Sequence, residues 1–122
     1  MKRLSVTMTT DGSGDATSYV GDGVLHGNIH AIRYVKDDFA DGVDVAITGN
    51  TSGIAILSVT NMNATATYFP RYATCDETGA ASLYAGSGEP VEDRIPIANE
   101  LIKIVVSSGG NKKSGTFHIW VE

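Results

Sequence analysis

The residues able to do chemistry are scattered along this sequence, and each group can be held against the spacing its chemistry demands. Asp11, Ser13 and Asp15, followed by Asp22, loosely match the oxygen-ligand spacing of an EF-hand calcium loop. The sixth position is Ala16 where that loop needs glycine for its sharp turn, and Asp22 is shorter than the usual final glutamate. The flanking residues also alternate like strands instead of helices. The expectation is a solvated turn, with calcium binding at Asp11, Ser13 and Asp15 as the alternative. His26 and His30 would share a metal on a helix, but on a strand their spacing separates them by about 13 Å. No His-Glu-x-x-His and no Cys-x-x-Cys occurs, so no metal site is expected.

Nucleophiles fit no better. Gly86-Ser87-Gly88 lacks the Gly-x-Ser-x-Gly spacing of a strand–turn–helix elbow. Cys75 precedes Asp76 and Glu77, whose negative charge disfavours a reactive thiolate. The run from Gly109 to Gly115 has a surface likeness to a phosphate loop, but a strand pattern follows where a helix is required. Acids cluster at Asp37, Asp38, Asp41 and Asp44, and again at Glu89, Glu92 and Asp93. Neither cluster has the apolar wall that splits the acidities of a glycosidase pair. No catalytic residue, no cofactor and no enzymatic activity are expected.

The aromatic residues are more suggestive. Their densest group is Tyr68-Phe69-Pro70-Arg71-Tyr72. Proline cannot donate to a strand ladder, so Pro70 marks an edge or a break. Alternate neighbours such as Phe69 and Arg71 could then reach solvent, and Tyr and Arg are favoured at interface centres. Tyr68, Phe69 and Arg71, with the basic pair Lys112 and Lys113, are the candidate partner-binding residues. Core aromatics with one snorkelling arginine form the alternative.

The elements that must position these residues read as strands. The chain has 122 residues, enough for one modest core, and is expected to be a single domain over 1–122. Ten serines, twelve threonines and fourteen glycines favour short strands joined by turns. Leu4, Val6 and Met8 alternate with polar residues, as do Val43, Val45 and Ile47. Val24 to Val35 is apolar on both faces, which suggests a central strand or a bulge near Gly27. Gly53 to Thr60 is almost continuously apolar and predicts a strand buried on both sides. Leu101 to Ser107 and Thr116 to Val121 predict a long hairpin with a flexible, basic tip. Pro90 and Pro96 preclude a helix from Glu89 to Glu100. The fold class is therefore all-β: an antiparallel β-sandwich or small barrel of about seven or eight strands.

Charge and cysteine content bound the partners. The net charge of -5 disfavours nucleic acid, and no apolar run approaches the roughly 18 residues that span a bilayer. The single cysteine precludes an intramolecular disulfide, and Leu4 to Thr10 alternates where a secretory leader would be continuously apolar. Synthesis and folding in a cytoplasm are expected.

One resemblance adds to this reading. It rests on Gly27-Asn28-Ile29-His30-Ala31-Ile32-Arg33-Tyr34-Val35, Gly42-Val43-Asp44-Val45-Ala46-Ile47-Thr48 and Thr51-Ser52-Gly53-Ile54-Ala55-Ile56-Leu57. Tyr68-Phe69-Pro70-Arg71 and Ser114-Gly115-Thr116-Phe117-His118-Ile119-Trp120-Val121 complete it. In this order the residues resemble the small all-β virion structural proteins of tailed bacteriophages. The resemblance implies a non-enzymatic capsid decoration (cement) protein, located in the virion after assembly in the host cytoplasm. The major capsid protein would be its partner, and the protein itself a homo-oligomer. A head–tail joining or neck component bound to neck proteins is the alternative within that family. From another class, a carbohydrate-binding β-sandwich module could use Tyr68, Tyr72 or Trp120 as its stacking platform.

Overall fold

The computed structural model describes residues 1–23, 25–75, 77–78, 80 and 92–122. Val24, Asp76, Gly86-Ser87-Gly88, Glu89 and Pro90, all named above, lie outside the described residues. The architecture is all-β, with ten strands among the described residues where about seven or eight were expected. They are β1 (Lys2–Thr9), β2 (Ala16–Val20), β3 (His26–Val35), β4 (Asp44–Gly49) and β5 (Ala55–Val59). The remainder are β6 (Ala66–Tyr68), β7 (Arg71–Ala73), β8 (Glu92–Ala98), β9 (Ile102–Ser107) and β10 (Ser114–Val121).

Two antiparallel sheets pack as a sandwich. One has the order β1-β10-β3-β8-β7, with β6 also paired to β3, and the other has the order β2-β9-β4-β5. Alternation in the sequence dictates the packing. Ile119, Phe117, Ile32, Tyr34, Val45, Ile47, Ile104 and Val106 all point between the sheets and are buried. Each aliphatic side chain so removed from water contributes about 2 kcal/mol. Tyr34 sits at the centre of the aromatic core, its ring 5.3 Å from Phe117 and 6.4 Å from Phe39.

Most connections cross from one sheet to the other, and this changes one expectation. β9 and β10 do not form a hairpin: β9 lies in the four-stranded sheet and β10 in the six-stranded one. Two adjacent alternating strands look alike whether they pair or face each other across a core. The turn between them is no flexible tip. Gly109 is buried, donating to the Gly14 carbonyl and accepting from Ala40 N–H, both at 2.9 Å. Thr10, also buried, receives Lys113 N–H at 2.9 Å and donates its hydroxyl to the Gly110 carbonyl at 2.6 Å. Three inter-sheet connections are thus stitched together at one end of the sandwich.

Two bulges account for ambiguous sequence patterns. On β3, the register to β10 shifts between Trp120 and Val121, leaving His30 as the extra residue; Ile29, Ala31, Ile32 and Tyr34 are all buried. On β5, the register to β4 shifts so that Ile56 is extra. That bulge, not burial on both faces, explains the continuous apolar run after Gly53. β5 is the edge strand of its sheet, and Ile54 just before it is exposed.

Candidate functional site

The β6–Pro70–β7 segment is the centre of the candidate site. Pro70 is buried and ends β6, after which the chain pairs with β8 instead of β3, so β7 becomes the outer strand. Tyr68 is partly buried against the core, whereas Phe69 is 60% exposed and Tyr72 46%. Arg71 folds inward: its Nη1 donates to the His30 carbonyl at 3.2 Å and to the Pro70 carbonyl at 2.7 Å. This fills the gap along β3 where β8 stops at Ile29 and β6 begins at Ile32.

Facing Tyr72 is the β4–β5 turn of the other sheet. Ile54, Ala55, Tyr72, Ile95 and Pro96 line an open groove of about 330 Å³ between the two sheet edges. Its placement depends on a buried carboxylate. Glu100 Oε1 accepts from Ser52 N–H at 2.9 Å, Thr51 N–H at 3.0 Å and the Ser52 hydroxyl at 3.1 Å. These bonds hold the turn that presents Ile54, and the Ser52 N–H foremost among them keeps the Glu100 carboxyl below its ordinary acidity range. A β-carbon at Gly49 would lie 2.5 Å from Glu100 Oε1, so a side chain there would have to displace the carboxylate from the turn it holds.

Pro96 on the groove floor is accommodated by its register. Asn28, its partner on β3, exchanges both backbone hydrogen bonds with Glu122 on the other side. The Asn28–Pro96 pair is therefore of the non-hydrogen-bonded kind, and the missing N–H of Pro96 points past the end of β7. Pro90 and Pro96 exclude a helix here, and the alternation of Ile95 and Ile97, both buried, is the signal for the strand.

The predicted partner-binding residues separate. Tyr68, Phe69 and Arg71 belong to the β6–β7 edge, with only Phe69 fully solvent-facing. Lys112 and Lys113 are exposed on the stitched β9–β10 turn. At the same end, Asp11 Oδ1 accepts from Ser13 N–H at 2.8 Å and Asp15 N–H at 3.1 Å. The Asp15 and Ser13 amides hold the Asp11 carboxyl below its usual range. Its oxygen thus closes an Asx turn. Asp38 accepts from Ser114 N–H at 2.6 Å, Asp41 pairs with Lys36, and Asp44 accepts from Asn61 N–H at 3.0 Å, so these acids fasten loops. Among the described residues, no three His, Cys, Asp or Glu side chains group to hold a metal ion.

A second surface joins Trp120, the stacking candidate of the sugar-binding alternative, to residues whose neighbourhood was not legible in the sequence. On the outer face of the six-stranded sheet, Ser5 and His118 hydrogen-bond at 2.7 Å, Thr7 and Thr116 at 3.2 Å, and Thr9 and Ser114 at 3.0 Å. The same face carries Arg3 opposite Trp120, and Arg33 opposite His118. The strand periods of β1, β3 and β10 were readable, but their adjacency, which gathers these residues, was not. No family model, no curated protein and no solved structure matches this chain.

Proposed function

We propose that this chain is a non-enzymatic structural protein that docks onto a larger protein assembly through the β5–β7 groove. One observation carries the reading. Of the large apolar side chains left in solvent, Ile54 and Tyr72 flank one apolar groove, and Phe69 lies on the same β6–β7 edge. Exposed apolar side chains gathered at one groove favour a contact with another protein. Among the described residues, the groove lies at the outer strands of both sheets, β5 and β7. The phage resemblance supplies the identity of the assembly: the head shell, with this chain as a decoration protein bound as a homo-oligomer to the major capsid protein. A place in the neck is the runner-up.

Peptide mass spectrometry of virus-sized particles from the source culture tests this. A ratio near one copy per shell subunit supports decoration, and a few per cent or less supports a neck ring. Absence from the particles refutes the virion role. Substituting Tyr72→Ser and Phe69→Ser should leave the monomer folded and reduce its incorporation; unchanged incorporation removes the groove from the contact.

A further inference from the structure

We infer that the outer face of the six-stranded sheet is a second binding surface, fitted to an anionic polysaccharide chain. Across the sheet, Arg3, Trp120 and Ala31 form one row, and Ser5, His118, Arg33 and Thr67 form the next. Side chains of both rows point away from the core, because their neighbours Leu4, Phe117, Ile119 and Ile32 point into it. The face is therefore an indole and an imidazole, 6.3 Å between ring centres, bracketed diagonally by two guanidinium groups. Two strand spacings and one row place the Arg3 and Arg33 Cα atoms about 12 Å apart.

Charge complementarity selects the occupant. Elsewhere the basic residues Lys2, Lys36 and Arg94 pair with Asp22, Asp41 and Glu122. Among the described residues, no carboxylate pairs with Arg3, and Arg33 donates to the Thr67 hydroxyl at 3.0 Å. In a chain of net charge -5, Arg3 and Arg33 put positive charge at the centre of this face, while its carboxylates lie at the ends: Asp37 accepts from the Thr116 hydroxyl at 3.1 Å, and Glu122 is paired with Arg94. A uronate chain matches it: the pyranose C–H face stacks on Trp120, carboxylates on non-adjacent sugars meet the two arginines, and ring hydroxyls meet the Ser5–His118 pair. A single-stranded nucleic acid fits less well. It presents a dense row of phosphates to an acidic protein, and its successive bases call for successive rings where this face has one indole.

Trp120 is the only tryptophan, so its fluorescence reports occupancy of this face alone. The full chain should be titrated with oligogalacturonate, with the same oligomer methyl-esterified, and with oligothymidylate. Saturable change with oligogalacturonate and at least tenfold weaker binding of the neutral ester are expected. Arg3→Gln and Arg33→Gln each remove a charge while keeping a donor, and each should weaken binding about tenfold. Their thermal midpoints should stay unchanged, and Lys103→Gln on the other sheet should bind like the parent. The inference is overturned if oligogalacturonate gives no saturation at millimolar concentration or the ester binds equally. Insensitivity to both arginine substitutions, or preference for oligothymidylate, overturns it as well.

Discussion

The guanidinium of Arg71 donates to the main-chain carbonyl of His30, across the gap that β6 and β8 leave along β3. A side chain thereby completes a ladder that no strand reaches. Arg71→Ala should cost about 1–2 kcal/mol in urea unfolding, as expected for a part-buried hydrogen bond to a charged donor. Arg71→Lys lacks the planar fork and should recover less than half of that loss. Parent-like stability in both variants would show that the contact contributes nothing.

Thr10 makes the same kind of argument for the stitched end. Thr10→Val keeps the shape and removes the hydroxyl that bonds Gly110 and Lys113, so about 1–3 kcal/mol should be lost. Deleting Gly110 to Ser114 should destabilise the monomer further, although shortening a free loop would cost little. Chemical denaturation of both variants decides whether the turn is part of the fold.

Tyr34 gives a prediction of opposite sign. Among the described residues its hydroxyl is buried without a hydrogen-bond partner, and burial pushes its pKa up to about 12. Removing an unpaired buried polar group is neutral or favourable, so Tyr34→Phe should match or exceed the parent midpoint by up to about 1 kcal/mol. A clear loss would reveal a partner for that hydroxyl.

Glu100 sets a pH dependence. Its folded pKa is lowered from 4.5 by the Ser52 amide first, so the folded state binds its proton less readily than the unfolded chain. The sign follows: its contribution is present above pH 4.5 and is lost as pH falls through the lowered value. Glu100→Gln should flatten the acid limb of the stability curve; an unchanged limb would show that the Ser52–Glu100 contacts contribute nothing to it.

Gly115 tests the packing. A β-carbon there would collide with the Phe39 ring, so Gly115→Ala must displace a core aromatic and should cost about 1–3 kcal/mol. Calorimetry that finds less would mean Phe39 moves freely.

The strand content was legible because one buried face writes period-two alternation into β1, β4, β9 and β10. Pro70 announced the end of β6 for a reason internal to the peptide bond. The pairings were not legible. β9 and β10 alternate identically whether they form a hairpin or lie in opposite sheets, and the bulge at Ile56 imitated a doubly buried strand. The candidate site was visible in part: Phe69 and Tyr72 are exposed, but Ile54, Pro96 and the arginine–indole face depend on which strands become neighbours.

The position of β10 also carries a kinetic consequence. It lies between β1 and β3, joining Thr9 to Ser114 across 105 positions of chain. During synthesis, β1 and much of β3 must wait for a partner that emerges long after them, with Leu4, Val6 and Met8 uncovered meanwhile. Long-range pairing of this kind makes folding slow and leaves the nascent chain open to aggregation. Any truncation before Ser114 would leave both strands waiting permanently, which makes β10 the step that commits the chain to its native state.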